Sequence, residues 1–226
     1  MKLLIDDANL DSIKKLYEYY KIDGVTTNPS ILSKEEVSPI ISLSKIRNFI
    51  GDDQLHIQVL SQFASDMVKE ARLITNKFGD NTYIKVPTND EGLKAMKQLT
   101  KEGVKVTATA IYSPLQGYLA MKSGADYLAI YINRIDDLGY DGIEVAKSIK
   151  NIKESYNYDS KILAASFKNS NQVLKLLQLG IDAATCSPSV IEKFIADQNV
   201  DEAIKDFSSD FKKLGSDTMI DYLRED

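Results

Sequence analysis

Short apolar runs rich in β-branched residues alternate along this chain with amphipathic stretches of roughly ten to sixteen residues, the pattern of repeated βα units. The runs with strand character are 3–6, 24–28, 55–60, 82–86, 104–110, 127–132, 162–166 and 183–186. Helix signals fill the gaps. Ser38-Pro39 reads as an N-cap followed by proline at the first helical position. Met67, Ala71, Ile74 and Phe78 fall on one helical face, and Gly79 follows where a left-handed C-cap is expected. Gly103 and Gly180 hold the same place after Leu93, Met96 and Leu99 and after the stretch 173–179. Beyond the last run, 191–196 and then Ile204, Phe207, Phe211 and Leu214 predict one or two further amphipathic helices.

Eight strands alternating with helices predict an α/β fold: a (β/α)8 TIM barrel with an additional C-terminal helix. The 226 residues suit one such domain, with 200–226 as a helical tail able to pack on another subunit. No stretch is rich in proline, glycine or serine, so a second domain is not indicated. An open doubly wound sheet is the competing architecture, but the glycine-rich first turn that usually announces it is absent.

Composition narrows the function. Hydrophobic residues at 43% and charged residues at 27% describe an ordinary globular protein. A net charge of −5 gives no electrostatic footing for nucleic acid or an anionic membrane, so an anionic ligand must meet a local cluster of cations. Cys186 is the single cysteine, which excludes an internal disulfide and points to the cytoplasm. The N-terminus meets Asp6 and Asp7 too early for a signal-peptide core or a membrane span. One histidine and one cysteine leave no closed nitrogen and sulfur zinc site, so no metal and no cofactor are expected.

In such a barrel the functional groups lie where the strands end at their C-termini. Those positions offer Asp6, Thr26 to Asn28, Gln58, Lys85, Thr109, Tyr131 to Arg134, Ser166 with Lys168, and Thr185 to Ser187. Lys85 lies in the apolar pentapeptide Tyr83-Ile84-Lys85-Val86-Pro87, where a poorly solvated ammonium would lose its proton more readily. It is either a strand-edge lysine that snorkels to water or a neutral amine that attacks a ketone carbonyl. Asp6 either shuttles the proton of a substrate hydroxyl or caps the helix starting near Asn9. Tyr131 and Gln58 either hold a water or belong to packing. Arg134, Ser166 and Lys168 follow the sixth and seventh strands, where barrels often bind a phosphate, or are surface cations and a turn serine. His56 reads as an ordinary strand residue and Cys186 as a buried small side chain.

Four ordered motifs carry a resemblance: Gly24-Val25-Thr26-Thr27-Asn28-Pro29-Ser30; Ile84-Lys85-Val86-Pro87 with Glu91-Gly92-Leu93; Asn133-Arg134-Ile135-Asp136; and Ala164-Ala165-Ser166-Phe167-Lys168. The chain resembles the small transaldolases and fructose-6-phosphate aldolases over nearly its whole length. The resemblance implies a metal-free class I mechanism with Lys85 as the Schiff-base lysine. It implies Asp6 as a carboxylate, and Asn28 with Thr26 as polar contacts, near the hydroxyls of a sugar phosphate. It implies Arg134 and Ser166 with Lys168 as the phosphate anchor, and a homo-oligomer, a decamer of two pentamers.

Within the family, transaldolases carry glutamate where Gln58 stands and tend to carry phenylalanine where Tyr131 stands, so both positions resemble the aldolase branch. With Thr109, Gln58 and Tyr131 would hold the water that passes a proton during product release. Asp7 departs from the family's usual threonine or serine, and Cys186-Ser187-Pro188-Ser189 replaces a more apolar segment. A carboxylate beside Asp6 would perturb its pKa. The expected activity is cleavage and formation of fructose 6-phosphate from dihydroxyacetone and glyceraldehyde 3-phosphate. The alternatives are a transaldolase moving the dihydroxyacetone unit and a silent sugar-phosphate-binding barrel.

Overall fold

The computed structural model describes residues 1–224. Eight parallel strands close into a barrel in chain order: β1 (Lys2–Asp6), β2 (Gly24–Thr26), β3 (Gln54–Gln58), β4 (Thr82–Pro87), β5 (Val106–Ile111), β6 (Tyr127–Tyr131), β7 (Lys161–Ala165) and β8 (Ala183–Cys186). The helices are α1 (Leu10–Tyr19), α2 (Pro29–Leu32), α3 (Pro39–Ile50), α4 (Ala64–Phe78), α5 (Asp90–Lys101), α6 (Pro114–Lys122), α7 (Ile132–Asp137), α8 (Gly142–Ser155), α9 (Ser170–Leu179), α10 (Pro188–Ile191), α11 (Gln198–Lys212) and α12 (Met219–Leu223). All eight expected strands form, with ends that differ by a few residues. β2 stops at Thr26, because Asn28 already caps α2 through its side chain.

Strand alternation sends one set of side chains to the helices and the other inward. Outward residues such as Val25, Leu55, Ile84, Val86, Leu128 and Ile130 are buried against helical partners such as Met67, Ala71, Met96 and Leu99. Each fully buried leucine or isoleucine contributes about 1.5–3 kcal/mol. The inward set includes Leu4, Tyr83, Tyr127 and Leu163. His56 is fully buried there, with Nδ1 2.8 Å from Thr107 Oγ1, Nε2 3.3 Å from Gln54 Oε1, and its ring stacked 4.7 Å from Tyr83. Burial, and then the nearby Lys85 and Lys2, hold its pKa well below the histidine range, so it is a neutral, satisfied interior group.

At the N-terminal rim an aspartate precedes three of the strands. Asp23 accepts Leu3 N–H at 2.9 Å, Asp126 accepts Val106 N–H at 2.7 Å, and Asp182 accepts Ile162 N–H at 2.8 Å. Each carboxylate supplies an acceptor where the ladder is only starting.

Ser38 takes the N-cap of α3 and Pro39 starts the helix, as expected, although the Ser38 hydroxyl makes no capping bond. One local expectation is corrected. The stretch 191–196 is not a helix of its own: α10 ends at Ile191 and Glu192–Phe194 form a 3-10 turn. Ile191 is buried while Phe194 and Ile195 are exposed, so no continuous apolar face holds a longer helix there.

The chain forms two compact units, Met1–Ile191 and Glu192–Asp226, so the division falls ahead of residue 200. The first unit is the barrel. In the second, α11 and α12 bury no side chain, and Val200, Ile204 and Phe207 are exposed along α11. No described helix is long and apolar enough to cross a membrane.

Candidate active site

The C-terminal ends of the strands surround a cavity of about 90 Å³ lined by Asp6, Thr26, Asn28, Lys85, Tyr131, Arg134, Ser166 and Thr185, with Ala129, Leu163 and Ala165 as apolar wall. Ile84 and Val86 are fully buried in the outer core, so the strand period turns Lys85 inward. Lys85 does not snorkel: it is only 6% exposed, and its Nζ donates to the carbonyl of Thr27 at 2.7 Å. Burial lowers its pKa below 10.5, Asp6 opposes that shift, and Arg134 adds to it. Behind Lys85, α5 approaches the end of β4 so closely that a Cβ on Gly92 would lie 1.7 Å from the Pro87 carbonyl oxygen. That position therefore requires glycine.

Asp6 faces the cavity and caps no helix; Asn9 caps α1 by accepting Ser12 N–H at 3.0 Å. Thr26 donates its hydroxyl to Asp6 at 2.6 Å, so Thr185, 2.7 Å from the same oxygen, must donate in turn to Thr26. Burial raises the Asp6 pKa above 3.8; Lys85 and the Thr26 hydroxyl oppose this, and Asp7 adds to it. Asp7 itself accepts the backbone N–H groups of Ala8 and Asn9 at 2.8 and 3.3 Å.

Tyr131 and Thr109 meet at 3.0 Å between their hydroxyls, with Thr109 buried behind the cavity wall. β6 runs directly into α7, so Arg134 lies one helical turn from Tyr131 and stacks its guanidinium 4.7 Å from that ring. Asn28 accepts Ile31 N–H at 3.0 Å through Oδ1, which orients its side chain and leaves the Nδ2 hydrogens to donate to a bound group. Ser166 has φ 61, a left-handed conformation that costs a residue with a Cβ about 1–2 kcal/mol.

Two expected members stand at the margin of the cavity. Gln58 pairs in register with Lys85 on the neighbouring strand and also lines an adjoining apolar groove of about 480 Å³, with Asn28, Ile40 and Leu73. β3 ends at Gln58, which places it at the lip. Lys168 is exposed and absent from the cavity wall; the reversed backbone at Ser166 breaks the alternation that would have set both side chains on one face. Of the three expected anchor residues, Arg134 and Ser166 lie on the cavity wall.

Three contributors carried no assigned role in the sequence. Thr185 was legible as a strand-end residue by simple alternation with Ala183. The Thr27 carbonyl that receives Lys85 is a backbone group with no sequence signal. Tyr112 lies beside Arg134, whose pKa it helps to raise, and packs edge-on against Tyr131 at 5.6 Å. It reaches them because β5 carries an extra residue between Ala108 and Ile111, with Ala110 at φ 59. The buried Cys186 thiol is pushed up by desolvation and is inert.

Comparison with known proteins matches residues 3–223 to the family described as Transaldolase/Fructose-6-phosphate aldolase. A protein of Streptococcus pneumoniae named "Probable fructose-6-phosphate aldolase" is 41% identical over 213 residues, 93% of this chain and 96% of its own. A protein of Thermodesulfovibrio yellowstonii named "Probable transaldolase" is 39% identical over 214 residues, 95% of this chain and 99% of its own. Another of that name, from Nitrosopumilus maritimus, is 38% identical over 215 residues, 95% of this chain and 96% of its own.

Proposed function

We infer the chemistry of the barrel mouth on a firm premise: the chain belongs to the Transaldolase/Fructose-6-phosphate aldolase family. Within it, we propose a class I Schiff-base aldolase that cleaves fructose 6-phosphate to dihydroxyacetone and glyceraldehyde 3-phosphate, and runs the reverse addition. The observation that carries the reading is Lys85: a buried amine with a lowered pKa, across a small polar cavity from a carboxylate with a raised one.

The neutral Lys85 amine attacks the ketone carbon of the substrate, and loss of water from the carbinolamine leaves an iminium. Asp6 takes the proton of the hydroxyl two carbons away. The bond between that hydroxyl-bearing carbon and the carbon next to the iminium breaks, its electron pair passes into the iminium to give an enamine, and the aldehyde phosphate departs. A proton returns to the enamine carbon, water adds to the re-formed iminium, and dihydroxyacetone leaves Lys85. The Thr109–Tyr131 hydroxyl pair is suited to holding that water. Asn28 donates to a substrate hydroxyl, and Arg134 with Ser166 binds the phosphate end.

A transaldolase is the second reading, favoured by relatives that carry that name. It would keep the enamine until an aldose phosphate arrived. Incubation with fructose 6-phosphate alone separates the two. Stoichiometric free dihydroxyacetone is expected from the aldolase; no release without an added aldose acceptor, with transfer once one is supplied, would replace it by the transaldolase.

A further inference from the structure

The ladder between β6 and β7 ends with Tyr131 opposite Ala165, yet both anchor residues assigned above, Arg134 and Ser166, lie past that end. What holds these two segments together must come from outside the sheet. One link is backbone: Asn133 N–H donates to the Ser166 carbonyl at 2.9 Å. The others converge on a single side chain, Gln172, in the first turn of α9. Its Oε1 accepts Lys168 N–H at 2.9 Å, and its Nε2 donates to Asp136 Oδ2 at 2.7 Å and to Asn133 Oδ1 at 3.3 Å. Asp136 in turn accepts Gly142 N–H at 2.8 Å through its other oxygen, which ties the bridge to the start of α8.

A glutamine that only closed the first turn of α9 would need its oxygen alone. Here the acceptor serves the Ser166 loop while both donor hydrogens reach the segment that carries Arg134. The bond to Asp136 is charge-assisted, the strong kind. Ser166 sits in a left-handed conformation that reverts unless its surroundings fix it.

We propose that Gln172 is a positioning residue, touching no substrate, whose side-chain amide holds Arg134 and Ser166 at the spacing that grips the phosphate of the substrate. The inference rests on the phosphate-anchor reading given above. It makes Gln172 a determinant of preference for phosphorylated over unphosphorylated substrates.

The test compares wild type with Gln172→Met, Gln172→Glu and the double variant Asp136→Asn/Gln172→Glu. Methionine keeps the length and removes every bond. Glutamate keeps the acceptor for Lys168 N–H but faces the Asp136 carboxylate, and the double variant restores that bond with donor and acceptor exchanged. Two readouts are taken: kcat and KM for fructose 6-phosphate cleavage, and borohydride trapping of unphosphorylated dihydroxyacetone on Lys85. KM should rise about tenfold in Gln172→Met, rise further in Gln172→Glu, and recover in the double variant, while trapping keeps its wild-type rate in all three. Unchanged KM in both single variants would overturn the proposal. So would a parallel fall in trapping, which marks a merely structural residue. Should Gln172→Met not fold, the contrast between Gln172→Glu and the double variant decides alone. A wild-type enzyme that traps dihydroxyacetone but shows no preference for phosphorylated substrate overturns the anchor and this inference with it, while leaving the Schiff-base lysine standing. A wild type that traps nothing refutes the Schiff-base reading itself.

Discussion

At the N-terminal rim Asp23, Asp126 and Asp182 each take a backbone N–H from a neighbouring strand, and Asp182 also pairs with Lys153 at 2.8 Å. At the opposite rim Asp6 accepts one threonine hydroxyl, and Lys85 donates a hydrogen bond to a carbonyl rather than to a carboxylate. The same residue types thus meet different company. The rim carboxylates stay at least partly open to solvent, and each accepts a backbone N–H. At the mouth Lys85 is buried and Asp6 half-buried, each pushed toward neutrality by desolvation and each partly opposed by the other's charge. One end of the barrel uses its charges to close the sheet; the other holds them around a small polar cavity, the setting that the proposed chemistry requires.

The largest effect should come from Lys85→Met, which removes the amine. Cleavage should fall by about 10³-fold or more, and borohydride should no longer trap substrate; trapping at another lysine would break the contrast. The same change tests the energetic side. Wild-type folded Lys85 binds its proton less readily than the unfolded lysine, so unfolding free energy should rise with pH between its lowered pKa and the ordinary 10.5. Denaturant titrations across that window should show this slope in wild type and its absence in Lys85→Met.

Next, Asp6→Asn should slow cleavage by about 10²-fold or more through loss of the proton shuttle. Trapping of dihydroxyacetone, which needs no carbon–carbon cleavage, should be affected far less. In the wild type the rate of trapping should fall as pH drops through the lowered Lys85 pKa, where the amine becomes protonated. A rate independent of pH down to the ordinary carboxylate range would contradict a Lys85 nucleophile.

The smallest catalytic effect belongs to the rim. Asp182→Ala should cost about 1–3 kcal/mol of stability, because Ile162 N–H loses its acceptor and Lys153 its partner. Its kcat and KM for fructose 6-phosphate should stay within about twofold, and a large fall in kcat would show that the two rims are not independent.

Much of the mouth was legible because strands obey a period of two. Ile84 and Val86 had to face helices, so Lys85 had to face the barrel interior, and the same alternation places Asp6, Thr26 and Tyr131 on the cavity wall. The misplacements cluster where that period fails. Lys168 was expected beside Ser166, but the reversal at Ser166 sends it to solvent. Tyr112 was not expected, and the bulge at Ala110 delivers it to Arg134. Gln58 has the right parity but stands at the last residue of its strand, where a neighbouring groove competes for it. The rim aspartates had a readable signal, an acidic residue just before a strand, whose meaning depends on which strand lies alongside.

The sequence by itself determined the number of strands and the place of Lys85 within an apolar one, because each follows from local periodicity, while whether that lysine reached water was decided by the closed barrel. Only the tertiary structure decided which strand ends meet. The raised Asp6 and lowered Lys85 pKa values arise from desolvation and charge between residues far apart in the chain, and the segments carrying Arg134 and Ser166 are tied by bonds from Gln172 across two loops. Such pairings carry no local period, since they exist only once the barrel has closed.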